Sequence, residues 1–117
     1  MPGKRVLIVD DDPDQVETLA EVLRISGHRV ECATNPLFAI SLAKEFHPQF
    51  IFLDIGLPYM NGYEALARLR RHFSGARFFA ITGRAGEGER SKSLEAGFED
   101  HFAKPIDPAV LEALLAG

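Results

Sequence analysis

The stretch from Gln49 to Gly62, QFIFLDIGLPYMNG, restricts the fold more than any other. Phe50, Ile51, Phe52 and Leu53 run straight into Asp54, and a glycine, a proline and an Asn-Gly pair follow. A short continuous apolar run bounded by turn signals reads as a strand buried on both faces, as in a parallel sheet. Its acid stands where the strand ends, and open α/β sheets bind ligands at the carboxyl ends of their strands. Taken alone, Asp54 admits two readings: a carboxylate held toward a crevice by a rigid strand, or the first residue of a turn. The rest of the chain decides between them.

Val6 to Val9, VLIV, repeats the pattern and ends in Asp10, Asp11 and Asp12. Pro13 suits the first position of a helix. That makes Asp12 its N-cap and Gln15, three residues on, the capping-box partner. Asp12 therefore has a structural task. Asp10 and Asp11 have none, and adjacent carboxylates at a strand end repel each other unless a cation or partner lies nearby. Val16, Leu19, Ala20 and Leu23 share one helical face, and Gly27 is placed to end that helix. His28 to Ala33 alternates polar and apolar, with Val30 and Cys32 to one side, as a half-buried edge strand does. Asn35-Pro36 repeats the cap-and-proline start. Leu37, Ile40 and Ala43 give the second helix its inward face, and His47-Pro48 stops it.

Beyond the central strand, Pro58 to Gly62 reads as a loop, with Asn61 capping a third helix and Glu64 as its partner. Leu66 and Leu69 face inward, while Arg68, Arg70, Arg71 and His72 make a solvated face. Arg77 to Thr82, RFFAIT, is a fourth strand ending in a hydroxyl. Gly83 to Gly88 is a flexible loop that lacks both the Lys-Ser/Thr and the GxGxxG spacing of phosphate-binding loops. The helix from Glu87 to Ala96 offers only Leu94 and Ala96 as apolar anchors. Most helix stability comes from packing, so this helix is expected to move. Asp100 to Ala103 is a short fifth strand before Lys104-Pro105. Asp107-Pro108 then starts a last helix whose Val110, Leu111, Leu114 and Leu115 face the core.

Short apolar strands alternating with helices of about ten residues imply a parallel sheet with right-handed crossovers. The expected fold is α/β: a (βα)5 doubly wound sheet of flavodoxin-like order 2-1-3-4-5, one domain over residues 1–117. The 117 residues suffice for one real core. A net charge of −4, from 17 acids and 13 bases, argues against a non-specific nucleic-acid binder. The single cysteine, Cys32, excludes an internal disulfide and fits a reducing compartment, the cytoplasm. No apolar run approaches the ~20 residues of a membrane span. MPGKR leads directly into a strand, so no signal peptide is expected.

In that order strands one and three are neighbours, which puts Asp10, Asp11 and Asp54 in one crevice. Thr82 ends strand four and Lys104 follows strand five at the same edge. Mg²⁺ is typically held by one or two carboxylates, water and phosphate oxygens. Lys104 adds a point charge and Thr82 a hydroxyl donor. Three acids, an amine and a hydroxyl make a site for a phosphoryl group on Mg²⁺. A carboxylate can also serve as nucleophile and become an aspartyl phosphate. Phosphoryl transfer then asks mainly for positioning and charge stabilisation. No His or Cys pairs locally with a serine as a hydrolase triad requires. His28, His47 and His72 stand at strand or helix ends, as solvated or capping residues do.

VLIVDDD, FLDIGLPYMNG, AITG and AKPI, in this order along essentially the whole chain, resemble the response-regulator receiver domain of two-component signalling. The resemblance implies that Asp54 is the phosphoacceptor. It implies a Mg²⁺ shell of Asp10, Asp11, Asp54 and the backbone carbonyl of Gly56, with Asp11 the more direct ligand of the acidic pair. Thr82 and Lys104 would contact the phosphoryl oxygens, and the Lys104-Pro105 bond is often cis in this family. Three residues before the lysine the family usually carries Tyr or Phe as a switch that works with Thr82; here that residue is His101. An imidazole is smaller than a phenol and can be charged near neutral pH, so switching by aromatic rotation does not carry over directly. Gly56 leaves no side chain beside the acceptor, which opens it to water.

DIGLPxMxGYE, TG and EAGFxxHxxKPI are most similar to receivers at the C-terminus of hybrid sensor histidine kinases. The implied donor is a histidine kinase or histidine phosphotransfer domain. The implied output is a switch of the face made by helix four, strand five and helix five, through which a homodimer can form. Nucleic acid and membrane are not direct partners, and the chain is an acceptor, not an enzyme, with slow autodephosphorylation. Two other readings stand beside this one. A Mg²⁺-dependent phosphohydrolase with Asp54 as nucleophile usually needs a second acid two residues later, where this chain has Gly56. A non-phosphorylated receiver-type interaction domain usually lacks the acids or the lysine, and all are present here.

Overall fold

The computed structural model describes residues 3–56, 62–73, 75–83 and 87–116, with positions 87–89 described through their backbone alone. The elements run β1 (Arg5–Val9), α1 (Pro13–Ile25), β2 (Arg29–Ala33), α2 (Pro36–Phe46), β3 (Phe50–Asp54), α3 (Gly62–His72), β4 (Arg77–Thr82), α4 (Glu87–Ala96), β5 (Asp100–Ala103) and α5 (Pro108–Ala116). The strands pair in parallel in the order β2-β1-β3-β4-β5, the expected doubly wound sheet.

Successive side chains of a strand point to opposite faces, so the same strands feed two cores. Leu7, Val9, Ile51, Leu53, Phe78 and Ala80 pack with Ala39, Ala43, Leu66 and Leu69 of α2 and α3. Val6, Ile8, Phe50, Phe52, Phe79 and Ile81 pack with Val16, Leu19, Leu23, Leu111 and Leu115 of α1 and α5. β3 is buried at every position, as its unbroken apolar run requires. Phe52 and Phe79 stack with ring centroids 5.2 Å apart, and Phe102 of β5 joins them at 6.2 and 6.1 Å.

The helix ends place the functional edge. Asp12 Oδ1 accepts from the amides of Asp14 at 3.1 Å and Gln15 at 3.3 Å, capping α1. The capping box is only half made, because the Asp12 amide donates to Asp10 Oδ1 at 3.1 Å. The first turn of α1 is thereby tied to the acid beside it. Asn35 Oδ1 caps α2 through the Phe38 amide at 2.8 Å. α1 closes in a Schellman motif: Gly27 N–H donates to the Arg24 carbonyl at 3.0 Å and His28 N–H to that of Leu23 at 3.1 Å, with Gly27 at φ 101°. α4 ends the same way, with Gly97 at φ 117°.

Three helices seat differently from what their spacing suggests. Leu37 of α2 is exposed, as is Phe38, and Pro36, Ala39 and Ala43 take the inward face. Val110 of α5 is exposed, while Leu111 and Leu115 are buried and Leu114 is partly so. α4 buries Ser93 and leaves Leu94 largely out. In α2 and α5 apolar residues adjoin along the chain, and a spacing of three or four fits either of two neighbouring stripes; α4 has too few apolar residues to fix its inward side. The cap expected at Asn61, with loop residues 57–61 and 84–86, lies outside the described residues.

Candidate functional site

β1 and β3 pair with Val9 opposite Leu53, so Asp10 and Asp54 leave adjacent strands at the same level. Both are buried, while Asp11 is exposed. One carboxylate oxygen from each of Asp10, Asp11 and Asp54 can be chosen so that all lie within 4.8 Å of one another. The Asp10 amide donates to the Ala33 carbonyl at 3.1 Å, which fixes the turn out of β1. The Gly56 amide donates to Asp54 Oδ1 at 2.8 Å. A Cβ at position 56 would stand 3.5 Å from that same oxygen, an ordinary van der Waals contact.

Lys104 enters from the end of β5. Its amide donates to the Thr82 carbonyl at 2.8 Å, and its peptide bond to Pro105 is cis. Its Nζ lies 2.9 Å from Asp54 Oδ2, and 3.1 and 3.0 Å from Asp10 Oδ1 and Oδ2. Burial pushes the Asp10 carboxyl up to about 6, and the Asp54 charge adds to this. The bonds from Lys104 and the Asp12 amide pull the other way. Burial works against the Lys104 charge, but the bonds to Asp54 and Asp10 prevail and hold its pKa above the usual lysine range.

Two of the three clustered carboxylates, Asp10 and Asp54, thus share one ammonium, and Asp11 adds a third negative charge beside them. The donor set is oxygen only, closely spaced and short of positive charge, which fits a hard divalent cation such as Mg²⁺. Thr82 ends β4 at the same edge and is buried. His101 lies on β5 opposite Ala80. That register puts it on the face of the sheet that carries α3 and α4.

A feature that sequence reasoning missed adjoins the acids. A cavity of about 360 Å³ is lined by Val16, Leu19, Ile81 and Ile106, with Asp10 and Lys104 also in its wall. Its only sequence signal is the run Pro105, Ile106 and Pro108, which carries apolar surface past the lysine.

Comparison with known proteins agrees with this geometry. The chain is 36% identical over 112 residues to an uncharacterized 14.6 kDa protein of Leptolyngbya boryana, covering 94% of this chain and 86% of that one. It is 36% identical to the transcriptional regulatory protein PrrA of Mycobacterium tuberculosis over 93% of this chain, but spans only 47% of PrrA. Among solved structures it resembles a CheY-like receiver domain protein of Methanospirillum hungatei, with TM-score 0.86 and 29% identity over 97% of this chain and 90% of that one. It is equally similar, at TM-score 0.86 and 29% identity over 96% of this chain and 66% of that one, to a response regulator of Burkholderia pseudomallei. That structure holds a phosphorylated aspartic acid, a calcium ion and citrate. The family model of the response regulator receiver domain matches residues 6–116, and on that match the chain belongs to this family.

Proposed function

We propose that residues 1–117 form one receiver domain in which Asp54 takes a phosphoryl group from a phosphohistidine of a histidine kinase or histidine phosphotransfer protein. The observation that carries this reading is the Lys104 ammonium bridging Asp54 and Asp10 at a strand end. An Asp54 oxygen attacks phosphorus, the P–N bond breaks, and its electron pair leaves on the imidazole. The product is an acyl phosphate on Asp54. Lys104 exchanges its carboxylate contact for the phosphoryl oxygens, and Thr82 offers its hydroxyl to them. Asp10, Asp11, Asp54 and the Gly56 carbonyl hold Mg²⁺. Bound there, Mg²⁺ supplies positive charge to the transferring group.

The cavity between α1 and the β5–α5 turn suits an apolar side chain of the donor protein, seated beside Asp10 and Lys104. The output face is α4, β5 and α5, where Leu94 and Val110 are exposed for a partner or a second copy. Gly56 brings only its backbone to Asp54, which favours an acceptor over a hydrolase with its own acid-base. The expected setting is the cytoplasm. Incubation with Mg²⁺ and acetyl phosphate, followed by intact-mass measurement, tests the reading. Wild type should gain one phosphoryl group and Asp54→Asn none. Gain by the variant at the wild-type rate would make another residue the acceptor.

A further inference from the structure

Three strands open on an arginine: Arg5 in β1, Arg29 in β2 and Arg77 in β4. They are matched unequally. Arg77 meets Glu99, whose two carboxylate oxygens accept from its Nε and Nη2 at 2.9–3.2 Å. Neither Arg5 nor Arg29 has a carboxylate within ion-pair distance among the described residues. Yet β1 and β2 pair with Arg5 directly opposite Arg29. Register partners on neighbouring strands start about 4.8 Å apart and point to the same face, and like charges so placed repel. The face is the one that carries α2, because Leu7 and Val9 of the same alternation pack with Ala39 and Ala43.

Both side chains lead to the last turn of α2. Arg5 Nε donates to the His47 carbonyl at 2.7 Å. Arg29 lays its guanidinium over the Phe46 ring, 5.7 Å from the centre. A helix C-terminus draws cations to its free carbonyls. That accounts for one nitrogen of Arg5. It does not account for Arg29, whose guanidinium makes no hydrogen bond among the described residues. Each guanidinium is thus held in place with N–H groups unspent. Lys44, one turn before His47 on α2, adds a third positive charge. Glu31 shares the strand face of Arg29 and Glu45 follows Lys44, but neither makes an ion pair with these bases.

We propose that Arg5 and Arg29 form a binding site for a phosphate dianion at the amino end of the sheet, the end away from Asp54. Guanidinium forks match phosphate oxygens two at a time, and a dianion cancels the repulsion between the two arginines. His47 and Phe46 orient the forks, and Lys44 adds charge from the helix. The site is separate from the acid edge and does not rest on the phosphoacceptor reading. Its chemistry is common to inorganic phosphate, a polyphosphate chain and a phosphate ester.

The test follows backbone amide shifts in EDTA, so that no cation draws phosphate to the acid edge. Inorganic phosphate, pyrophosphate and glycerol phosphate are titrated at fixed ionic strength. Saturable shifts are expected at Arg5, Arg29 and His47, while Asp10, Asp54 and Lys104 stay still. Tightest binding of pyrophosphate assigns the site to a polyphosphate chain, and tightest binding of glycerol phosphate to a phosphate ester. Equal binding of all three assigns it to the terminal phosphate group alone. Arg29→Gln should weaken binding about tenfold, the factor one charge-assisted hydrogen bond carries. Arg29→Lys keeps the charge and loses the fork, so it should recover only part of that loss.

Arg5→Gln should weaken binding as well. Arg5 also holds the end of α2, so its variant is checked by thermal melting. Arg29 is exposed and makes no such bond, so its variants decide the matter if Arg5→Gln unfolds. Shifts that do not saturate, that chloride reproduces, or that Arg29→Gln leaves unchanged mean an adventitious ion only and overturn the site. Shifts confined to the surroundings of Lys104 overturn it too.

Discussion

The ammonium of Lys104 joins Asp54 at 2.9 Å and Asp10 at 3.1 Å, residues 50 and 94 positions away in the chain. One amine therefore closes the carboxyl edge of the sheet across β1, β3 and β5, and it holds together two carboxylates that would otherwise repel.

Removing that amine should expose the repulsion. Breaking a fully buried pair costs about 3–5 kcal/mol. The Lys104 side chain is 21% exposed, so the expected loss in Lys104→Met is smaller, roughly 2 kcal/mol by urea denaturation. Mg²⁺ should then restore more stability than it adds to wild type. A variant as stable as wild type without the cation would contradict the network.

Mg²⁺ at millimolar concentration should raise the melting temperature of wild type, because a ligand that binds only the folded state stabilises it by mass action. Asp11→Asn should show a smaller rise. Asp11 is exposed, so its loss removes a ligand without disturbing the core. Equal shifts in the two proteins would take Asp11 out of the cation site.

Gly62 opens α3 hard against the residue that follows Asp54. A Cβ there would stand 2.4 Å from the Ile55 Cα, and the Gly62 amide donates to the Ile55 carbonyl at 3.2 Å. Gly62→Ala must push Ile55 aside. The expected outcome is a loss of about 1–3 kcal/mol, as for other overpacked positions, together with slower phosphorylation measured by mass. Wild-type stability and rate would show that the backbone yields without moving the acceptor.

Cys32 should be a poor nucleophile. Burial pushes its thiol up to about 11, with the Glu17 charge adding and Arg24 opposing. Against an ordinary thiol near 9, the thiolate at pH 8 is roughly 100-fold scarcer, and alkylation should slow by that factor until the chain unfolds. The thiol ionises more readily in the unfolded chain. Its contribution to stability is therefore intact below pH 9 and is lost as pH rises toward 11. Fast alkylation of the native protein at pH 8 would contradict this.

The acid edge is legible in the sequence because Asp10 and Asp54 each terminate an unbroken apolar run, and burial on both faces fixes where such a run must lie. The alternation of strands and helices supplies the rest of the topology. The grip of Lys104 on both acids is not legible, since it depends on the turn from β5 into α5. Nor is the choice between Ser93 and Leu94. A helix with so few apolar residues does not state which of its sides will be pressed to the sheet. Leu37 and Val110 mislead for the opposite reason, because an apolar neighbour on the next stripe wins the inward place. Asp12 is half legible: its cap is read correctly, but its amide answers to Asp10 and not to Gln15.

The placement of Tyr63 gives this protein an optical gauge of its own. The chain has two tyrosines and no tryptophan. Tyr63 of α3 lies beneath the Lys92 ammonium of α4 at 5.2 Å and meets the Phe98 ring edge-on at 6.2 Å. In a Tyr59→Phe background the near-ultraviolet emission comes from that single phenol, and the Lys92 ammonium over its ring rides on α4. A turn of that helix that carries the ammonium away from the ring should change the yield of the light, and its timing can be followed in a stopped-flow cell without attaching a dye.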